Sequence, residues 1–175
     1  MRAVILIILS LGMLPASQAA TWQLAAGPTR SEGSAVEISR STVRWETAVG
    51  YVTDQDVNIH TLQDTCMAGI AGPECVTLSA TVRRSVDGYG YLSVQRRFAF
   101  RPDATLKPIL GFGVVANTDT NPYVSSPVTF SLSAGMRLGR RWSLEWRHFS
   151  NAGLKQPNLG EDMLLLRATF RGPAL

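Results

Sequence analysis

The stretch Val128–Leu138, VTFSLSAGMRL, alternates between apolar side chains and polar or small ones. Its even-numbered positions are the apolar ones, namely Val128, Phe130, Leu132, Ala134, Met136 and Leu138. The odd-numbered positions between them hold Thr, Ser, Gly and Arg. Because successive side chains of a strand point to opposite faces, this period of two predicts a β-strand with one apolar and one polar face.

The same alternation recurs along the chain, between turn signals such as Asp87-Gly88 and Asn121-Pro122. It predicts eight strands, at roughly 21–29, 41–52, 76–86, 89–100, 105–117, 127–138, 141–150 and 162–171. Strands of about ten residues suit a small membrane barrel, so the predicted fold is all-β, an eight-stranded antiparallel transmembrane β-barrel. The segments 30–40 and 53–75 show no clear period and are interpreted as irregular, with His60 in a loop.

Alternation alone does not say whether the apolar face lies outside, as in a membrane barrel, or inside, as in a lipocalin-like binder of an apolar ligand. The composition favours the membrane barrel, because only 17% of the residues are charged and the surface of a soluble barrel needs about 25–35%. Arg96 is an exception on an apolar face, tolerable only near a membrane interface. The residues expected to pair in a polar interior are Arg44, Glu46, Arg137, Glu145 and Arg147.

Several function classes are disfavoured by the composition. The net charge of +4 is small and scattered, which argues against a nucleic-acid partner. The two Cys and two His of the chain do not lie at the spacings of a finger-type zinc site, so no metal site is expected. No Gly-rich phosphate loop follows a predicted strand, so neither a nucleotide nor another cofactor is indicated.

The first residues have the pattern of a secretory signal peptide. Arg2 precedes an apolar run over 3–14, Pro15 ends that run, and Ser17-Gln18-Ala19 fits the small-x-small cleavage rule. We predict a signal peptide at 1–19 and the barrel domain at 20–175. The alternative for the N-terminal segment is a membrane-anchoring helix, but its apolar run is shorter than a membrane span requires. Export permits disulfides, and Cys66 and Cys75 flank a Gly-containing loop, so we predict a bridge there, with two free thiols as the alternative.

A polar cluster interrupts the apolar faces of the last two predicted strands. His148 and Ser150 continue the even-numbered face of Trp142, Leu144 and Trp146, and Asp162 opens the apolar face of the next strand. Two strands joined by 151–161 should pair antiparallel, which brings Asp162 back to His148 and Ser150 on the lipid-facing surface. A hydroxyl, an imidazole and a carboxylate are the parts of a Ser-His-acid triad for acyl transfer. Glu161 is the alternative acid, although strand parity directs it into the barrel.

The segment 148–160, HFSNAGLKQPNLG, resembles the signature of outer-membrane lipid A 3-O-deacylases of the PagL type, and 106–113, LKPILGFG, resembles a central strand of that family. The resemblance implies an eight-stranded outer-membrane barrel with Ser150 as nucleophile and His148 as general base. It also implies that Asn151, Gly153 and Asn158 help to form the oxyanion hole. The family's third triad member is Glu, whereas the matching residue here is Asp162.

These observations together predict a serine esterase of the outer membrane of a Gram-negative bacterium. The resemblance implies that its substrate is lipid A, or lipopolysaccharide, from which it removes an ester-linked 3-hydroxyacyl chain at the outer leaflet; no cofactor is expected. Arg147 and Lys155 flank the site and are candidates for a headgroup contact. The alternative function is a non-catalytic structural or interaction barrel, and a homodimer is left open.

Overall fold

The computed structural model of the protein describes residues 20–69, 72–99, 106–156 and 158–171. The signal peptide predicted at 1–19 lies outside the described residues. Within the described part of the chain, no helix is long and apolar enough to cross a membrane.

Ten strands make up the described structure, and every pairing between them is antiparallel. They are β1 (Thr21–Pro28), β2 (Ser34–Ser41), β3 (Trp45–Val52), β4 (Gln55–Gly69), β5 (Gly72–Val86), β6 (Tyr89–Ala99), β7 (Leu106–Asn117), β8 (Val128–Leu138), β9 (Trp142–Ser150) and β10 (Glu161–Arg171). Eight of them close a barrel in the order β1-β10-β9-β8-β7-β6-β3-β2. Strands β4 and β5 form a separate two-stranded hairpin between β3 and β6. The predicted eight-stranded antiparallel barrel is confirmed.

Two of the predicted strands are assigned wrongly. The segment 76–86 belongs to the hairpin strand β5 and not to the barrel. The predicted strand 41–52 begins too early, because β2 ends at Ser41 and β3 starts only at Trp45. The missing barrel strand is β2, which lies in the segment 30–40 interpreted as irregular except for its last residue, Ser41. Periodicity cannot separate a barrel strand from a two-stranded ribbon, since both alternate, and β2 hides its pattern because Arg40 lies on its outward face.

The segment 53–75 is also more regular than predicted. It contains all of β4 and the start of β5, so His60 lies in a strand and not in a loop. The hairpin register places Cys66 directly opposite Cys75. Directly opposed strand residues are close enough in Cα distance for a disulfide, and the bridge stays a prediction.

The barrel is apolar outside and polar inside. On β9 the even-numbered Trp142, Leu144 and Trp146 are exposed, whereas Ser143 and Glu145 are buried. The same inversion holds around the barrel, where exposed Leu, Val and Phe side chains face away from the axis. A soluble lipocalin-like barrel has the opposite arrangement, so the lipid-facing interpretation is the correct one.

A charged network fills the middle of the lumen. It contains three guanidinium groups and three carboxylates, so its formal charges cancel; its members are Arg97, Arg147, Arg167, Glu37, Glu46 and Glu145. Arg147 and Arg97 both bind Glu145, at 2.7 and 2.6 Å. The prediction was right for Glu46, Glu145 and Arg147 and wrong for Arg44 and Arg137, which make no ion pair among the described residues. Arg44 lies exposed in the turn 42–44, away from the lumen.

The two ends of the barrel differ. The upper end carries the connections 29–33, 118–127 and 151–160 and the β4–β5 hairpin. The lower end carries Thr21, where β1 begins, and the short turns 42–44 and 139–141. At the upper end Tyr123 donates its hydroxyl to the Asp56 carbonyl at 2.8 Å, which fastens 118–127 to the hairpin. Partial burial raises the pKa of the Tyr123 phenol, so it remains a protonated donor near neutral pH.

Candidate active site

His148 and Asp162 are directly opposed across β9 and β10 at the upper end of the barrel. Both occupy even-numbered, outward-facing positions of their strands, so their side chains meet on the outer surface. His148 Nδ1 lies 2.9 Å from Asp162 Oδ1, a hydrogen-bond distance. The side chains are 30% and 27% exposed, which places the pair at the edge of the membrane-facing surface. A carboxylate bound to Nδ1 fixes which imidazole nitrogen carries the proton and leaves Nε2 free to accept one.

Four further contacts hold this pair, and sequence analysis missed all of them. The Trp146 ring stacks on the imidazole of His148, with centroids 5.8 Å apart and an angle of 19° between the planes. Its indole Nε1 also donates to Asp162 Oδ1 at 3.1 Å. Arg30 donates its backbone N–H to the Asp162 carbonyl at 2.8 Å and places its guanidinium 3.6 Å from Asp162 Oδ2. The carboxylate therefore has hydrogen-bonding partners at Oδ1 and a cation near Oδ2.

Gly160 completes the enclosure of the imidazole. Its φ is +70°, a left-handed conformation that favours glycine. A Cβ at this position would lie 2.6 Å from His148 Cε1, so no larger residue fits unless the ring moves. The sequence contains a signal for Trp146, which shares a strand face with His148. It contains none for Arg30, which is more than a hundred residues away.

Glu161 points the other way. It is fully buried in the lumen, where its carboxylate accepts hydrogen bonds from Ser31 at 3.0 Å and from Gln55. Across the strands it is paired with Phe149, which is also buried. The two neighbouring carboxylates, Glu161 and Asp162, thus lie on opposite faces of the barrel wall, as the one-residue offset requires.

Ser150 is the last residue of β9 and lies half-buried on the same outward face as His148. Its Oγ accepts hydrogen bonds from Asn158 Nδ2 at 2.9 Å and from the backbone N–H of Ala152 at 3.1 Å. Among the described residues, no hydrogen bond joins Ser150 to His148. Residues i and i+2 of a strand are about 6.6 Å apart along the chain, so the two groups are neighbours that are not yet in contact.

Asn151 and Gly153, the other two residues predicted for the oxyanion hole, make their hydrogen bonds within the loop and not with Ser150. Asn151 is buried, and its Nδ2 donates to Ser125 Oγ at 2.8 Å and to the Lys155 carbonyl at 2.7 Å. Its Oδ1 accepts the backbone N–H of Gly153 at 2.9 Å. Asn151 and Gly153 therefore bind each other and the loop 151–160, while Asn158 contacts Ser150 directly. The backbone N–H of Ala152 was missed, because its direction is set by the turn that follows Ser150, and that turn leaves no periodic signal in the sequence.

The two candidates for a headgroup contact are also separated by the structure. Arg147 is fully buried in the lumen network, so it cannot reach a lipid headgroup. Lys155 lies exposed in the loop 151–160. Among the residues that the structure describes, no group of three or more His, Cys, Asp or Glu side chains could hold a metal ion.

Comparison with known proteins identifies the family and supports the fold. A family model for lipid A 3-O-deacylase (PagL) matches residues 74–171, more than half of the chain. The crystal structure of the outer membrane enzyme PagL has a TM-score of 0.52 at 23% identity, covering 87% of this chain and 99% of that one. A designed transmembrane β-barrel has a TM-score of 0.46 at 12% identity, with 86% and 94% covered. For the Yersinia pestis outer membrane protein Ail the values are 0.42 and 11%, with 86% and 99% covered.

Comparison with curated protein sequences gives no match. The family model nevertheless covers all of β6 to β10, and with them every residue of the candidate site except Arg30. By this match the chain belongs to the lipid A 3-O-deacylase (PagL) family of outer-membrane enzymes.

Proposed function

We propose that this protein hydrolyses an ester-linked 3-hydroxyacyl chain of lipid A with Ser150, His148 and Asp162 as its catalytic triad. The observation that carries the proposal is the His148–Asp162 pair, 2.9 Å apart on the lipid-facing surface, with Ser150 two residues away on the same face. Membership of the deacylase family supports the substrate class. The residue roles rest on this geometry.

In the proposed mechanism, His148 Nε2 accepts the hydroxyl proton of Ser150 while Oγ attacks the ester carbonyl. Asp162 keeps the proton on Nδ1 and stabilises the imidazolium that forms. His148 then donates the proton to the leaving sugar oxygen, and the acyl chain remains on Ser150. A water molecule, deprotonated by His148, releases the 3-hydroxy fatty acid and regenerates the serine. A rotation of the Ser150 side chain toward Nε2 precedes the first step, because catalytic contacts are often looser before substrate binds.

The oxyanion is assigned to the two donors that already converge on Ser150. Asn158 Nδ2 and the backbone N–H of Ala152 lie 2.9 and 3.1 Å from Oγ, so both are next to the carbonyl that Oγ would attack. Each such donor typically contributes about 3–4 kcal/mol to the transition state. Asn151 and Gly153 act indirectly in this assignment, because their hydrogen bonds shape the loop that presents Asn158 and Ala152.

An apolar groove next to the triad offers room for lipid. It has a volume of about 220 Å³ and is lined on the outer surface by Pro28, Arg30, Trp146, Asp162 and Leu164, among others. An acyl chain fits such a surface because the groove lies on the apolar, membrane-facing side of the wall. We assign the upper end to the outer leaflet, where lipid A resides, because the lower end carries the short turns 42–44 and 139–141 and the short turns of outer-membrane barrels are periplasmic.

Mass spectrometry of lipid A tests the proposal. Cells that express the protein should lose the mass of one 3-hydroxyacyl chain from lipid A, and cells that express Ser150→Ala should not. Ser143→Ala is the matched control, because Ser143 lies on the same strand but faces the lumen. Retained deacylation in a correctly inserted Ser150→Ala variant would remove Ser150 from its role. Unchanged lipid A with the inserted wild-type protein would favour the non-catalytic barrel.

A further inference from the structure

The described part of the lower end is strongly positive. Five arginines lie there on the outward face or in the turns; they are Arg40, Arg44, Arg96, Arg140 and Arg141. No exposed carboxylate accompanies them within the described residues, since Glu46 is buried in the lumen network. Lys107 and Arg137 add two half-buried charges opposite each other in the β7–β8 register.

The upper end carries exposed charges of both signs. Its arginines are accompanied by exposed carboxylates, which are Glu32, Asp54, Asp87 and Asp119. Arg83 is paired there with Glu32 and Asp56, at 2.5 and 2.6 Å. The described cations are thus compensated at the upper end and uncompensated at the lower end. A one-sided charge of this kind sets up a local potential that attracts anions to the lower end.

Arg96 is held in a defined position on this surface. Its guanidinium carbon lies 5.8 Å from the centre of the Trp45 ring and 5.6 Å from that of Phe98. Contact with two rings orients a guanidinium without using its N–H donors. No acidic partner occupies those donors within the described residues, so they remain available to an anion at the surface of the barrel.

The side chains around these arginines indicate which kind of anion they would bind. Exposed or half-buried aromatic side chains lie at the same level around the barrel; they are Trp22, Trp45, Phe98, Trp142 and Phe170. Aromatic belts mark the membrane–water interface, the depth at which lipid headgroups lie. The anion within reach of an outward-facing arginine at that depth is a lipid phosphate, which arginine binds through paired N–H donors.

We propose that the lower end of the barrel is a binding surface for the phosphate groups of anionic phospholipids. These lipids occupy the leaflet opposite the one assigned to the substrate. Juxtamembrane cationic side chains contribute about 1 kcal/mol each toward an anionic lipid surface, or about fivefold in affinity per arginine. The surface does not depend on catalysis, because none of its residues lies near Ser150.

Two of the three Arg-Arg pairs in the chain provide a matched test. Arg140→Gln/Arg141→Gln removes two charges from the lower end, and Arg83→Gln/Arg84→Gln removes two from the upper end. Each protein is refolded in a zwitterionic detergent, its folding is checked by heat-dependent gel mobility, and native mass spectrometry then measures binding of phosphatidylglycerol and phosphatidylcholine. We expect wild type to prefer phosphatidylglycerol at least tenfold, the lower pair to lose most of that preference, and the upper pair to keep it.

Two further measurements keep the test decisive. Arg44→Gln/Arg96→Gln examines the same surface if the first lower variant fails to fold, and it should weaken phosphatidylglycerol binding similarly. Inorganic phosphate at millimolar concentration should compete poorly, since it lacks the acyl chains that rest against the aromatic belt. Equal losses in the upper and lower variants, full displacement by free phosphate, or no lipid preference in the wild type would each overturn the proposal.

Discussion

The Asp162→Asn variant removes the negative charge beside His148 and leaves the size of the side chain almost unchanged. Asp162 Oδ1 is contacted by two nitrogens, His148 Nδ1 at 2.9 Å and Trp146 Nε1 at 3.1 Å. An asparagine satisfies both donors only with its carbonyl oxygen in that position, because its amide nitrogen is itself a donor. The indole therefore favours the amide orientation that preserves the productive imidazole tautomer.

The expected loss of kcat in Asp162→Asn follows from the interactions that the asparagine retains. The tautomer is kept, so the variant loses the charge that stabilises the imidazolium. A hydrogen bond to a charged group contributes about 1.5–3 kcal/mol, and the exposure of 30% and 27% for the two side chains favours the lower half of that range. We expect kcat to fall by about 10- to 50-fold. A flipped amide would impose the wrong tautomer and cost about 10⁴-fold, as in serine proteases.

The assay is the initial rate of 3-hydroxy fatty acid release from lipid A by the refolded barrel in detergent. Glu161→Gln is the matched control, because Glu161 is the adjacent residue and its carboxylate lies inside the lumen. We expect this control to change kcat by less than about threefold, within the range of substitutions away from the reacting groups. A larger loss in Glu161→Gln than in Asp162→Asn would refute the assignment of the acid.

Trp146→Phe keeps an aromatic ring on the imidazole and removes the N–H donor, so kcat should fall about three- to tenfold at unchanged KM. In the Asp162→Asn background the loss should be larger, because the asparagine amide becomes free to flip when the indole donor is absent. Equal losses in kcat in the two backgrounds would contradict this explanation. Gly160→Ala should lower kcat at least about tenfold, since its Cβ would displace the catalytic imidazole. Gly139→Ala, with a similar φ of +69° and open space, should keep full activity in the same assay. Arg147→Met should destabilise the barrel by about 3–5 kcal/mol in urea titrations, because it leaves buried carboxylates uncompensated; an unchanged midpoint would argue against the lumen network.

Much of the fold could be predicted because the deciding signal is local. Period-two alternation is readable within a single strand, and it also identifies the outward face once the low charge content favours a membrane barrel. The same parity placed His148 and Ser150 on one face, and a single hairpin register returned Asp162 to them. Each of these inferences needs only a strand and its nearest neighbour in sequence.

The tertiary structure alone decided which strands close the barrel. A hairpin strand such as β5 and a barrel strand alternate alike, and only pairing with a third strand separates them. The lumen network was predicted only in part. Strand parity directs Glu46, Glu145 and Arg147 inward, but only closure of the barrel brings Glu37 to Arg147 from a strand that is not adjacent in the wall.

The candidate active site likewise has features that the sequence determined and features that only the tertiary structure decided. The amino-acid sequence by itself determined that an imidazole, a hydroxyl and a carboxylate share one outward face, since that follows from strand parity. Only closure of the barrel between β1 and β10 brought Arg30 to Asp162. Only the turn that follows Ser150 aimed the backbone N–H of Ala152 at the serine hydroxyl. Long-range closure and loop dihedral angles leave no periodic trace in a sequence, which is why these contacts became visible only in three dimensions.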